Sequence, residues 1–140
     1  MFDKKFEDRL AEWQKFREDL EFAKDPLSDV IKFYSKAPLV SIHTDPWDNK
    51  MWPTPWELIN ENQYCDFCLV LGMCYSLQLT ERFKESKFEI HIGIDKTHSA
   101  TYYLLYVDNK IIGWNESYVD QSKLPKTIES KKIYTMPTLH

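Results

Sequence analysis

The sequence predicts an α+β domain, with helices first and an antiparallel meander after them. Three observations predict it. Apolar residues recur in steps of three and four from Phe2 to Leu20. The run from Cys65 to Leu79 is apolar almost all round. "KFEIHIGID" alternates apolar and polar positions, and two further β-prone runs follow it.

Phe2, Phe6, Leu10, Trp13, Phe16 and Leu20 fall on one stripe of an amphipathic helix, about 120° wide at about 100° per residue. Lys, Glu, Asp, Arg and Gln occupy the other side. Packing of this stripe on the core is the expected role, ahead of partner binding. Asp25-Pro26 reads as an N-cap followed by proline at the first helical position. It opens a shorter helix carrying Leu27, Val30, Ile31 and Tyr34. "APLVSIHTDPWDN" is broken by prolines and reads as irregular or briefly extended. Thr54-Pro55 opens another short helix, with Glu57 as the capping-box partner of Thr54. The Cys65–Leu79 helix belongs inside a domain, because it has no polar face to show water.

Phe88, Ile90, Ile92 and Ile94 form the apolar face of a half-buried strand, and Glu89, His91, Gly93 and Asp95 its polar face. "ATYYLLYV" reads as a central strand, "VDNK" as a tight turn and "IIGW" as the returning strand. "KKIYTM" adds a last strand. No repeat and no domain boundary interrupts the 140 residues. The expected organisation is one domain, 1–140, with an N-terminal helical segment 1–46 and a core 47–140.

A net charge of −4, with no Lys/Arg cluster, argues against nucleic acid as a partner. The longest uncharged run, Phe67 to Thr80, is short of the roughly 20 residues of a membrane span. The start "MFDKKFEDRL" is charged and unlike a signal peptide. Three cysteines in a short stretch do not make a disulfide framework. The expectation is a soluble, cytoplasmic protein without a membrane partner, and its oligomeric state is not legible in the sequence.

Cys65 admits four readings. The first is a small buried side chain, as Cys68 and Cys74 are expected to be. The second is zinc. Cys74 lies nine residues after Cys65 and on the opposite side of a helix, so the thiols do not converge, and no metal is expected. The third is a redox pair with Cys68. The CxxC spacing is right, but "PWELINENQY" precedes it where a hydrophobic strand belongs. The fourth is a nucleophile. A helix N-terminus favours a thiolate, and a histidine with an orienting partner must reach it. His98, at the start of the central strand, is the candidate base. It shares a strand face with Ala100, Tyr102, Leu104 and Tyr106. A tight turn at "VDNK" brings Asn115 to that face, as the residue that orients the ring. Glu116 and Asp120 are alternatives if a bulge shifts the register.

These stretches resemble the bacterial transglutaminase-like cysteine proteinases, within the transglutaminase-like, papain-type superfamily. "WPTPWELINENQYCD" resembles the family's W-x-x-P-x-E-x-L stretch leading into a Cys-Asp/Glu helix start. Trp52, Pro55, Glu57, Leu58, Cys65 and Asp66 stand at the matching positions. "HSATYYLLYVDNK" resembles the strand that begins with the catalytic histidine, and "IIGWNES" the next strand. The resemblance covers roughly Trp47 to Glu116. It implies a papain-like core, a Cys65 nucleophile, a His98 base and an orienting residue near Asn115. It implies no cofactor, and a protein or peptide amide or ester as substrate. The chain departs from the family at Gln63-Tyr64, where Gly-Asp is usual, and at Asn115, where Asp is usual. These departures point to the alternative, an inactive scaffold serving binding or assembly.

The remaining candidates are less specific. Trp52 and Trp56 precede the site helix as candidate cleft walls. Asn62 and Gln63 are candidate amide donors to an oxyanion beside the Cys65 N–H. His91 is expected to face solvent, His43 to lie in a surface loop and His140 to fray.

Overall fold

The computed structural model describes residues 1–41 and 44–139; His43 and His140 fall outside them. Four helices precede a five-stranded antiparallel sheet: α1 (Phe6–Leu20), α2 (Pro26–Tyr34), α3 (Pro55–Glu61), α4 (Asp66–Gln78), then β1 (Phe88–Asp95), β2 (Ala100–Val107), β3 (Lys110–Ile112), β4 (Tyr118–Asp120) and β5 (Ile128–Thr135). The spatial order of the strands is β4-β3-β2-β1-β5. Among the described residues no helix is long and apolar enough to cross a membrane.

The caps follow the residue chemistry. Asp25 accepts from the Ser28 N–H at the start of α2, with Pro26 filling the first position, where a missing N–H costs nothing. Thr54 and Glu57 form the full reciprocal capping box of α3. That helix ends at Asn62 in the left-handed region, φ 52°, which Asn tolerates better than most residues. The apolar stripe of α1 becomes helical only from Phe6. Phe2 sits in the turn before it and packs its ring on Phe33, Tyr34 and Tyr64.

Helix α4 is the centre of the core. Phe67, Cys68, Leu71, Cys74 and Leu77 are fully covered, as its lack of a polar face requires. Each fully buried large apolar side chain contributes about 1.5–3 kcal/mol through area removed from water. The small residues of α4 take the close contacts. A Cβ on Gly72 would stand 2.6 Å from the Tyr34 ring. Ser76 receives the Trp13 Nε1–H and bonds the Tyr34 hydroxyl, both at 2.9 Å. One hydroxyl therefore locks α1 and α2 onto α4. The buried Arg9 guanidinium adds a second lock, donating to the Ile59 and Asn60 carbonyls at the end of α3.

The sheet has two apolar faces. Phe88, Ile90, Leu105, Val107 and Ile112 join the core around α4. Leu104, Tyr106, Ile111 and Ile128 form a second, smaller core on the far side, with Tyr102, Trp114, Val119 and Leu124 packed against it. His91, expected in solvent, belongs to this second face. It is only 6% exposed and stacks on Tyr106 at 3.8 Å. Part of the far face is covered, because Trp114, Val119 and Leu124 from the chain after β3 pack against it, and the edge strand β5 runs beside His91.

Candidate functional site

Cys65 is the N-cap residue of α4 and is 3% exposed. Its backbone is extended, and its carbonyl accepts the Leu69 N–H that starts the helix. The segment from Pro38 to Val40 runs beside Tyr64 and exchanges backbone hydrogen bonds with it, Val40 N–H to Tyr64 O and Tyr64 N–H to Pro38 O. This contact props one wall over Cys65. The result is a cavity of about 370 Å³, lined by Leu39, Val40, Thr44, Phe67, Thr101 and Tyr103 together with Cys65 and Asp66. A second cavity of about 340 Å³ adjoins it across Asp66, Thr101 and Tyr103, and carries Met73, Ile112, Asn115 and Glu116. The two form one cleft over the start of α4.

The other thiols are packing groups. Cys68 donates to the Thr44 hydroxyl at 3.3 Å. Burial pushes the Cys68 thiol up to about 11, the Thr44 hydrogen bond lowers it in part, and the neighbouring Cys65 raises it again. Burial also pushes the Cys74 thiol up. Among the described residues no group of three or more His, Cys, Asp and Glu side chains is placed to hold a metal ion.

His98 lies in the turn between β1 and β2, two residues before β2 begins, and its side chain is 73% exposed. Its Nδ1 bonds Asp95 Oδ2 at 2.9 Å. The same carboxylate accepts the Thr97 N–H at 2.9 Å, so Asp95 organises the turn. The His98 hydrogen bond is the main cause that holds the Asp95 carboxyl below the usual carboxylate range. Asp95 is the acidic partner that sequence reasoning missed. The signal was Asp-x-x-His spanning a turn, a spacing at which an Asp side chain reaches forward over its own loop.

Strand parity places Asp95 on the sheet face away from α4. Along β2 the odd positions face α4: Tyr103 packs edge-on against Phe67 at 5.5 Å, and Leu105 joins the α4 core. The even positions Leu104 and Tyr106 face the far side. Asp95 shares its side of β1 with Gly93, where a Cβ would meet Ile128 and Leu104 of the far core. The Cys65 cavity is accordingly lined by Thr101 and Tyr103, and no histidine among the described residues lines it.

The other predicted residues separate as well. Asn115 lies beyond the end of β3, in a loop, where its Oδ1 accepts the Ser117 N–H at 2.9 Å. It lines the second cavity and not the Cys65 end. Asp120 pairs with Lys110 on the surface, and Glu116 shares the second cavity with Asn115. Trp52 packs between Phe67 and Tyr134, and Trp56 lies edge-on to Trp13, 53% exposed. Asn62 uses its amide on the Phe2 carbonyl at 2.8 Å, which fastens the N-terminus to α3. Gln63 is exposed in the connection before Tyr64.

Comparison with known proteins adds no relative: no family model, no curated protein and no solved structure matches the chain.

Proposed function

We propose that this chain is a transglutaminase-like scaffold that binds a partner segment in the cleft over α4 and does not turn it over. The order of elements supports the scaffold: a capped helix α3, a short connection, a cysteine at the tip of a buried helix, and an antiparallel sheet packed on that helix. The observation that supports the binding reading is that His98 bonds Asp95 in the β1–β2 turn and is not among the described residues that line the Cys65 cavity. A thiol nucleophile needs a base within hydrogen-bond reach, about 2.6–3.2 Å or somewhat more without substrate. The described lining of the Cys65 cavity includes the hydroxyl-bearing side chains of Thr44, Thr101 and Tyr103. Asp66 at the first helical position already places a negative charge where the helix end favours one, and it opposes a second on Cys65.

The cleft suits an extended polypeptide segment. Leu39 and Val40 stand 61% and 40% exposed at its rim, apolar side chains with no cover. Among the described lining residues the charged ones are Asp66 and Glu116, which favour a basic or neutral segment over an acidic one.

Iodoacetamide labelling at pH 7, mapped by mass spectrometry, tests the reading. The expected result is that Cys65 labels no faster than a free cysteine in a short peptide, and that His98→Ala leaves its rate unchanged. Rapid labelling of Cys65 that His98→Ala abolishes would overturn the binding reading and restore a cysteine hydrolase acting on an amide or ester.

A further inference from the structure

The far face of the sheet holds a second constellation that the cleft does not use. His91 on β1 bonds Ser130 Oγ on β5 through Nδ1 at 2.8 Å, and Glu89 Oε1 through Nε2 at 3.2 Å. Its ring is clamped flat against Tyr106, at 3.8 Å and 16°. The groups facing His91 are Glu89 from β1, Tyr106 from β2 and Ser130 from β5, with Lys87 behind Glu89 at 3.4 Å. Ser130 is exposed, while His91 is buried beneath it. The register explains the reach. Ile92 faces Lys132 and Gly93 faces Ser130, so Lys131 is an extra residue, and this bulge turns the strand and re-aims its side chains.

We propose that Ser130 is a nucleophile with His91 as its general base and Glu89 as the residue that positions the ring, acting on small activated carboxylic esters. The proton positions follow from the partners. A carboxylate only accepts, so His91 Nε2 carries the proton and donates it to Glu89. Nδ1 then has a lone pair for the Ser130 hydroxyl. Burial works to raise the Glu89 carboxyl, but His91 and Lys87 outweigh it and hold it low, which keeps Glu89 ionised. Burial lowers His91, only partly offset by Glu89, which keeps the imidazole neutral and able to accept.

In the first half-reaction Ser130 Oγ bonds the ester carbonyl carbon, and its proton passes to His91 Nδ1. The carbon–alkoxide bond then breaks, and the same proton leaves with the alcohol. Water repeats the sequence in the second half, giving a carboxylic acid and free Ser130. The site lies on an open strand face, without the walls that hold a large substrate. The class is therefore short-chain esters with good leaving groups, and not polypeptides.

A fluorophosphonate probe tests this on the whole chain. Ser130 Oγ displaces fluoride at phosphorus, its proton goes to His91, and the stable adduct is located by mass spectrometry. Hydrolysis of p-nitrophenyl acetate is followed in parallel. The expected result is an adduct at Ser130, lost in Ser130→Ala together with hydrolysis. A positioned general base contributes on the order of 10²–10⁴-fold, so Glu89→Gln should slow labelling by at least about tenfold. Glu89→Asp should recover part of the rate, and the rate should fall in acid as His91 becomes protonated. An adduct on another residue, hydrolysis unchanged in Ser130→Ala, or Glu89→Gln labelling at the parent rate would each overturn the proposal. Ser130 is exposed and Glu89→Gln is isosteric, so the outcome does not depend on a variant at the buried His91.

Discussion

The two faces of the sheet carry different chemistry. On the α4 side lie the three thiols: Cys65 at the tip of the helix, and Cys68 and Cys74 sealed within it. On the far side, the imidazoles have carboxylate partners, His98 with Asp95 and His91 with Glu89. The difference teaches that order along a chain does not by itself say which face of a sheet a side chain meets. A strand changes face at every residue, so a displacement of a single position decides whether a histidine meets the helix or turns its back on it. Leu104 and Tyr106 face the far side, and the odd positions Thr101 and Tyr103 line the Cys65 cavity, while His98 lies in the turn before β2, outside this alternation.

The largest expected effect tests how unequal the two faces are. Leu71 lies fully buried at the middle of α4, with helices on one side and the sheet on the other. Leu104 is equally buried, but in the smaller core, whose surrounding groups are partly exposed and free to relax. Leu→Ala in a core costs about 2–5 kcal/mol, and less where the site collapses. Urea unfolding should place Leu71→Ala near the top of that range and Leu104→Ala near the bottom. Equal losses would mean that the far face carries as much of the fold as the α4 face, and would break the comparison.

A smaller effect isolates the polar network of the far face. Burial holds His91 below its ordinary pKa, against the opposing pull of Glu89. An unfolded chain regains the ordinary value of about 6.5. Between that pH and the lower folded value, the unfolded state binds more protons than the folded state, so acid favours unfolding. The His91 contribution is therefore complete above about pH 6.5 and is lost as pH falls through the folded pKa. The carboxylates of Glu89 and Asp95, also held low, begin to lose their contribution only further into acid. Melting temperature measured from pH 7 to 5 should decline in the parent chain. It should stay flat in His91→Phe, which keeps a ring on Tyr106 and removes the titration. A parallel decline in both would show that the acid response comes from elsewhere.

Much of this arrangement was legible in the sequence, and the failures have physical causes. The helices were written in caps and stripes: Asp25-Pro26, Thr54 with Glu57, and the unbroken apolar run of α4. The parity of β2 and its pairing with β3 were also legible, because a tight turn at Asp108 and Asn109 fixes the register, and Tyr106 does face Ile111. Alternation tells which residues share a face, but not which face meets a helix when both are covered. "KFEIHIGID" reads as one wet and one dry side, yet Gly93 and His91 lie against Ile128 and Tyr106. The strand β4 was missed because three residues among Asn, Glu, Ser and Gln carry no pattern. Asn115 misses the strand face because β3 stops at Ile112. Gly113 then takes φ 114°, which only glycine adopts with ease, and the chain leaves the sheet.

The smallest expected effect concerns the stretch that carried the resemblance. Trp52, Pro55 and Glu57 looked like a family signature, and each has a local task here. Trp52 fills the space between Phe67 and Tyr134, Pro55 starts α3, and Glu57 returns to the Thr54 N–H at 3.1 Å. Thr54 completes the box by accepting the Glu57 N–H at 3.2 Å. Removing such a cap costs about 0.5–2 kcal/mol. Thr54→Ala should lower stability by about 1 kcal/mol in urea, within that range, and should leave the labelling rate of Cys65 unchanged. The reason is distance along the fold: α3 ends at the Asn62 cap, and the Cys65 wall is held separately by the Tyr64 bonds to Pro38 and Val40. If the variant instead alters Cys65 labelling at unchanged stability, then α3 and the cleft move together. The signature would then describe the site on the α4 face and not only the helix that precedes it.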